Sequence, residues 1–287
     1  MKFLLALGVA VLAVSTPTLA QTAVVQASRE DAALTQSYHA MYNLNFDEAF
    51  RQAESAKGIS KDDPLPWVAE ACASLFREFD RLHILRSEMF ASDETFESRK
   101  PQNWQPEARA KFDWAIAGAE KLAQARLAQN KNDLHALFAL TLTYGLRADD
   151  VALIGKKNMA ALSFTKSSNS YAQRLLARAP DYYDAYVATG MGKYIIGGKA
   201  APVRWILRME GLKGDQEEGV KELRLAAERG HYLAPFAHIL LAFDDLRHDR
   251  KSAAREIFSE LRTQFPGNPL FAQEIAKLDH PATGPGQ

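Results

Sequence analysis

The chain has 287 residues, in which 35 Lys and Arg balance 35 Asp and Glu with the 7 histidines neutral. A formal net charge of zero supplies no overall field to recruit phosphates, which argues against a nucleic-acid binder. One cysteine, Cys72, excludes an internal disulfide, so stability has to come from the packed core.

Residues 1–20 read as an export signal. Lys2 gives the positive start, 3–14 are an apolar run, and Pro17, Thr18 and Ala20 offer a small-residue cleavage site with Gln21 following. The run is shorter than the roughly 20 residues of a membrane span, and no later run is longer. No cysteine follows the cleavage site, which argues against a lipid anchor. About 265 residues would then remain, enough for one large or two ordinary domains.

Almost everything after the leader reads as helix: β-branched alternation is scarce, and proline and glycine cluster at intervals suited to short turns. The first helix pair is predicted over 28–43 and 46–57, with Asn45 between them and Asp47-Glu48 at the positive end of the second helix. Gly58 is expected to close that helix, and Asp62-Asp63-Pro64 to open one carrying Trp67, Leu75, Phe76 and Phe79. Cys72 falls on this apolar helix and reads as a buried, inert thiol. A polar, proline-bearing loop over 92–106 marks a sub-boundary. Helices are then predicted over 106–130, 134–147 (capped by Asn132-Asp133) and 157–178. Beyond Pro180 the pattern gives helices at 183–195, 216–229, 234–246, 251–264 and 269–278, then a Pro- and Gly-rich tail over 280–287 read as disordered.

Gly219, Leu223 and Ala227 recur as Ala253, Ile257 and Leu261, a spacing of 34 residues. Tyr186 and Gly190 match the aromatic and glycine slots of the tetratricopeptide pattern, whereas Thr189 and Lys193 do not. Pro180 and Pro266 take its terminal-proline slot, and 46–49 match the entry to its second helix, with Ala53 in the bulky slot. Those prolines are 86 residues apart, against about 68 for two unbroken repeats. The excess falls on 195–212, an insertion holding Gly197-Gly198, Pro202 and Trp205. With the phrases at 181–186 and 211–215, the stretch 182–271 resembles an exported branch of bacterial tetratricopeptide-repeat proteins that carries such an insert between repeats. A fainter likeness covers 136–152 and 28–56. The resemblance implies an all-α fold, an α-solenoid of helical hairpins wound as a superhelix, which binds proteins in the periplasm or outside the cell. It implies no catalytic residues, cofactor or metal.

The domain organisation expected is a signal peptide at 1–20, degenerate helical hairpins at 21–100, long middle helices at 101–180 and repeats at 181–279. Candidate binding residues are the aromatic helix entry Tyr182, Tyr183, Tyr186 and Tyr194 with Arg147 and Lys193 beside it, since aromatic and Arg side chains dominate binding hot spots. Core packing is expected to claim two or three of the four tyrosines. In the insertion, Arg204 and Arg208 share one face of a short amphipathic segment and Trp205 flanks it. It reads as packing on the solenoid, as a lid over the groove, or as a weak membrane-surface contact.

Other clusters carry less. His238, Asp244, Asp245, His248 and Asp249 straddle a predicted helix end without a metal-binding motif. Gly190, Gly192, Gly197 and Gly198 lack the strand a dinucleotide fingerprint needs, and the serines of 163–170 lie in no nucleophile elbow. The expectation is a non-enzymatic protein holding a peptide or protein partner on a concave helical face. The alternative is a receptor for a small molecule or lipid, with 195–212 as its lid.

Overall fold

A computed structural model describes residues 19–89, 98–198 and 213–280, with side chains from residue 26. The predicted leader up to residue 18, part of the loop at 92–106, most of the insertion with Arg204, Trp205 and Arg208, and the tail lie outside them. Among the described residues the protein is all-helical, with eleven α-helices and no strand. They are α1 (Leu19–Tyr42), α2 (Phe46–Ile59), α3 (Leu65–Arg81), α4 (Pro106–Gln129), α5 (Leu134–Asp149), α6 (Asn158–Leu176), α7 (Tyr186–Gly197), α8 (Gln216–Arg229), α9 (Ala234–Arg247), α10 (Lys251–Gln264) and α11 (Pro269–Asp279). None of these is long and apolar enough to cross a membrane.

Local chemistry accounts for the starts and stops. Asn45, Asp133, Asp215 and Asn268 each accept a backbone N–H of the first turn, at the starts of α2, α5, α8 and α11. Proline stands in the first turn of α3, α4, α9 and α11, where its missing N–H costs nothing. Two of the boundaries that differ from expectation have a plain cause. No glycine or proline interrupts 19–42, so α1 begins well before residue 28. Gly58 does not close α2, which continues to Ile59: glycine weakens a helix without ending one whose next residue keeps helical geometry. After α5 the chain widens into a π-turn, Asp150–Ile154.

The helices pack in consecutive pairs, α1/α2, α3/α4, α5/α6, α7/α8 and α9/α10, with α11 last, and each pair leans on the next. The first helices of the early pairs also touch one another in series, α1 on α3, α3 on α5 and α5 on α7. This arrangement is consistent with an α-solenoid. The second helices bury the same face: Ala49, Ala53 and Ala56 in α2, Gly219, Leu223 and Ala226 in α8, and Ala254, Phe258 and Leu261 in α10. From α8 to α10 each member steps by 35, from 219 to 254, 223 to 258 and 226 to 261. The core register is thus one residue longer than the repeat of like residues, and Ala253 and Ile257 sit half-buried beside it.

In the pair α7/α8 two backbones cross at glycines. A Cβ on Gly190 would lie 2.9 Å from the Gly219 carbonyl oxygen, and one on Gly219 would lie 2.7 Å from that of Gly190. Only residues without a side chain let the helices come this close. At the far end Asp215 donates its N–H to the Lys193 carbonyl, 3.1 Å, which draws the flanks of the insertion together. The described residues that flank the insertion thus belong to one helical pair, α7 and α8.

The row also meets itself. Asp31, Thr35, Tyr38 and Tyr42 form one stripe of α1, and the C-terminal helices and their linkers cover it. Tyr38 stacks on Tyr232 with centroids 5.1 Å apart, and the Tyr42 hydroxyl donates to the Tyr232 carbonyl, 3.0 Å. Phe265 packs on His39 and Tyr42, and Asn268 donates its amide to the Tyr42 carbonyl, 2.9 Å. On α3, Phe76 meets Phe236 edge to face, and beyond its end the Ser87 hydroxyl donates to Glu274. One contiguous apolar core results, running from Ala33 to Ile275.

Candidate binding site

A half-open cavity of about 400 Å³ lies where the first pair meets the linker between α8 and α9. Helix α1 contributes Ala27, Glu30, Asp31 and Leu34, and Leu65 and His135 stand at the starts of α3 and α5. The opposite wall is the turn Asp181, Tyr182, Tyr183 and Asp184 with Arg229, His231 and Tyr232.

Asp184 builds that wall. Its carboxylate accepts three successive backbone N–H groups, from His231 (2.8 Å), Tyr232 (3.0 Å) and Leu233 (3.0 Å), the free donors ahead of α9. Burial pushes its carboxyl up, against those three hydrogen bonds. Gly230 permits the approach, since a Cβ there would lie 2.5 Å from the Ala226 carbonyl and 2.7 Å from Asp184 Oδ1. Tyr232, so positioned, donates its hydroxyl to Asp31, 2.5 Å, and His231 Nε2 stands 3.1 Å from both Asp31 and Thr35. Burial first, and then Asp31, push the Tyr232 phenol far above its ordinary value.

Behind the cavity Asp63 gathers charge. It accepts from the Leu65 N–H (2.8 Å) and from Arg126 (3.1 Å), and pairs with His135 at 2.7 Å. Burial raises its carboxyl, but the His135 hydrogen bond, the amide and Arg126 outweigh burial and leave it below its usual range. The same hydrogen bond raises His135. Glu30 differs from both carboxylates. It is 7% exposed, Oε1 has no hydrogen-bond partner, and burial holds its carboxyl above the ordinary value although Ser60 opposes.

Of the residues singled out in the sequence, the cavity joins Tyr182 and Tyr183. Tyr182 packs on Phe138 at 4.8 Å, and Tyr183 accepts from Arg229, 3.2 Å. Tyr186 stacks on Tyr183 but donates to the Pro180 carbonyl, 3.1 Å. The other three lie elsewhere. Arg147 is tied to Glu120 at 2.8 Å, and Lys193 to Glu222 at 2.7 Å. The Tyr194 phenol is raised by burial and by the Asp244 carboxylate beside it. Arg204, Trp205 and Arg208 lie outside the described residues. Sequence reasoning missed Glu30, Asp31, His135, Asp184, Arg229, His231 and Tyr232, which come from distant elements. The one local signal was an acid in a Tyr-Tyr-Asp turn with a glycine later in the chain.

The remaining clusters are structural. Arg250 takes Asp244 (2.5 Å) and Asp245 (2.6 Å), while His248 Nδ1 is 2.8 Å from the Asp244 carbonyl at the end of α9. Cys72 is buried with Sγ 3.8 Å from the Tyr38 hydroxyl, and burial pushes its thiol up to about 12, far from a reactive thiolate.

Together these features describe an all-helical protein of consecutive helical pairs with a tyrosine- and carboxylate-lined cavity. Compared with protein-family models, curated proteins and solved structures, the chain matches none of them.

Proposed function

We propose that this chain is a non-enzymatic binding protein, built of tetratricopeptide-like helical pairs, that holds a peptide or an exposed segment of a partner protein at the cavity beside Tyr182 and Tyr183. The observation that carries this reading is the cavity itself, half-open and walled by carboxylates of α1 and by the tyrosines and carboxylates of the turn at 181–184 and the linker at 231–233. Its volume falls within the range of binding pockets, about 300–1,000 Å³. An enclosed apolar chamber would favour a lipid instead. Tyrosine offers contact area with little side-chain entropy to lose, and open mouths admit a chain that continues past the pocket. The histidines and two carboxylates here are committed to one another or to backbone amides, which favours holding over catalysis. An exported, periplasmic setting belongs to the same proposal and rests on the reading of residues 1–20.

Panning a random peptide library on the immobilised chain tests it. Enriched peptides should bind in solution and lose at least tenfold in affinity on Tyr183→Ala. Failure to enrich any peptide over a denatured control, or equal affinity for the variant, would overturn the proposal.

A further inference from the structure

The cavity has a charge requirement that its own residues do not meet. Four acids line it, Glu30, Asp31, Asp181 and Asp184, against one fixed cation, Arg229. Arg229 turns to the Tyr183 hydroxyl and ring, its guanidinium carbon 5.5 Å from the ring centroid. His135 is committed to Asp63, as Arg126 is to Asp63 and Asp133, and both act on Glu30 only at longer range. Asp184 is satisfied by three amides, and Asp31 by Tyr232 and His231. That leaves Asp181, which is exposed to solvent, and Glu30, which is 7% exposed and has a hydrogen bond from Ser60 but none to Oε1. A buried carboxylate oxygen without a donor is costly, and such groups in native proteins call for an explanation.

We propose that this cavity binds a primary ammonium group, seated between the Glu30 carboxylate and the Tyr182 ring. The inference rests on the binding reading above only for what carries the ammonium, a lysine side chain of a peptide. A compact ammonium offers three donors as a point charge, which suits one free carboxylate oxygen. A guanidinium wants two parallel acceptors, and a hard metal ion wants six or more oxygens. The half-buried Tyr182 ring, which lines the same cavity, adds cation–π attraction. An anion would meet four acids.

Calorimetric titration of the full chain with n-butylammonium chloride tests the site, with n-butanol as the neutral isostere. Butylammonium should bind and butanol should not. Glu30→Gln should cut the affinity at least tenfold while the unliganded variant melts at the same temperature or higher, because the amide removes an uncompensated buried charge. Equal affinity in Glu30→Gln, or no binding of butylammonium to the wild type, overturns the proposal. Should the variant fail to fold, carbon-detected NMR of wild-type Glu30 decides: its carboxyl must titrate lower with butylammonium present, and unchanged titration overturns the site. Lysine-containing peptides then identify the carrier. Tighter binding than butylammonium supports a polypeptide ligand. Binding no tighter keeps the ammonium site but assigns it to a small free amine, and the peptide reading falls. Peptides whose affinity depends on Tyr183 but not on lysine leave that reading standing and sink the ammonium site.

Discussion

Asp184 ties three parts of the molecule with one carboxylate: the turn before α7, the linker at 231–233 and the start of α9. Asp184→Ala would strand three backbone donors in a place shielded from water. The expected loss is about 2–4 kcal/mol, measured by urea denaturation, with Asp184→Asn recovering part of it. Gly230→Ala should reproduce much of this loss without touching the carboxylate, because its Cβ would intrude on Asp184 Oδ1. A full-strength Gly230→Ala protein would show that the approach is looser than the structure has it. Neither role was legible in the sequence. Asp184 lies about fifty residues from the amides and the glycine it meets, so no local pattern announces either role.

A second residue-scale consequence concerns pH. Burial and the neighbouring Asp150 push Asp149 up to about 7, above its ordinary 3.8. Asp150 itself accepts from Trp104 at 2.7 Å and from Arg109 at 2.8 Å. Between about pH 4 and pH 7 the folded chain holds a proton at Asp149 that the unfolded chain has lost. Stability therefore falls as pH rises through that window, by at most about tenfold in the folding constant per pH unit, and the contribution levels off above it. His135, raised by its bond to Asp63, acts with the same sign: its contribution is present below its unfolded value near 6.5 and is lost as pH rises past its folded value. Denaturation of Asp149→Asn across pH 4–8 should flatten the first slope and leave the second. An unchanged profile would show that Asp149 titrates normally.

At the scale of elements, periodicity and caps carried most of what the sequence could give. Asn45, Asp133 and the prolines in the first turns of α9 and α11 mark starts that the structure keeps, because these signals are decided by residues within one turn. The core register was harder to read. Like residues recur every 34 positions, whereas burial recurs at 35, since burial follows what a neighbouring helix offers and a half-buried alanine looks like a core alanine in sequence. Gly190 and Gly219 each fell in a slot of the repeat pattern, but that they face each other across α7 and α8 was not legible. Gly219→Ala should push the helices apart, at a cost of about 1–3 kcal/mol. Gly190→Ala should cost a similar amount, and the double variant less than the sum, because the first substitution already opens the gap. Additive losses would mean that the two glycines do not face each other.

For the whole molecule, consecutive pairing leads to an expectation of an inner wall open along its length, yet the linkers at 231–233 and 265–268 cover the first helix. No sequence pattern announces this. Asp31, Thr35, Tyr38 and Tyr42 share one face of α1, but a stripe of tyrosines names no partner, and the residues that meet it lie about two hundred positions away. Meeting of the ends matters for function because the cavity exists only where α1 faces the linker at 231–233. A chain whose ends parted would lose the Tyr232 and His231 wall and leave Glu30 open to water. The contact of Phe265 with Tyr42 and His39 isolates this closure. Phe265→Ala should cost about 3–5 kcal/mol in either arrangement, since the ring is fully buried, so stability alone decides nothing. A double-mutant cycle does decide. With the ends together, Phe265→Leu and Tyr42→Leu should couple by about 0.5–1.5 kcal/mol, the worth of an aromatic pair, and Phe265→Leu should speed amide exchange in α1. If the chain were open, the two losses would add within about 0.3–0.5 kcal/mol and exchange in α1 would not respond. Closure and binding are then one question, because only a variant that separates the ends should weaken ligand binding without altering any residue of the cavity.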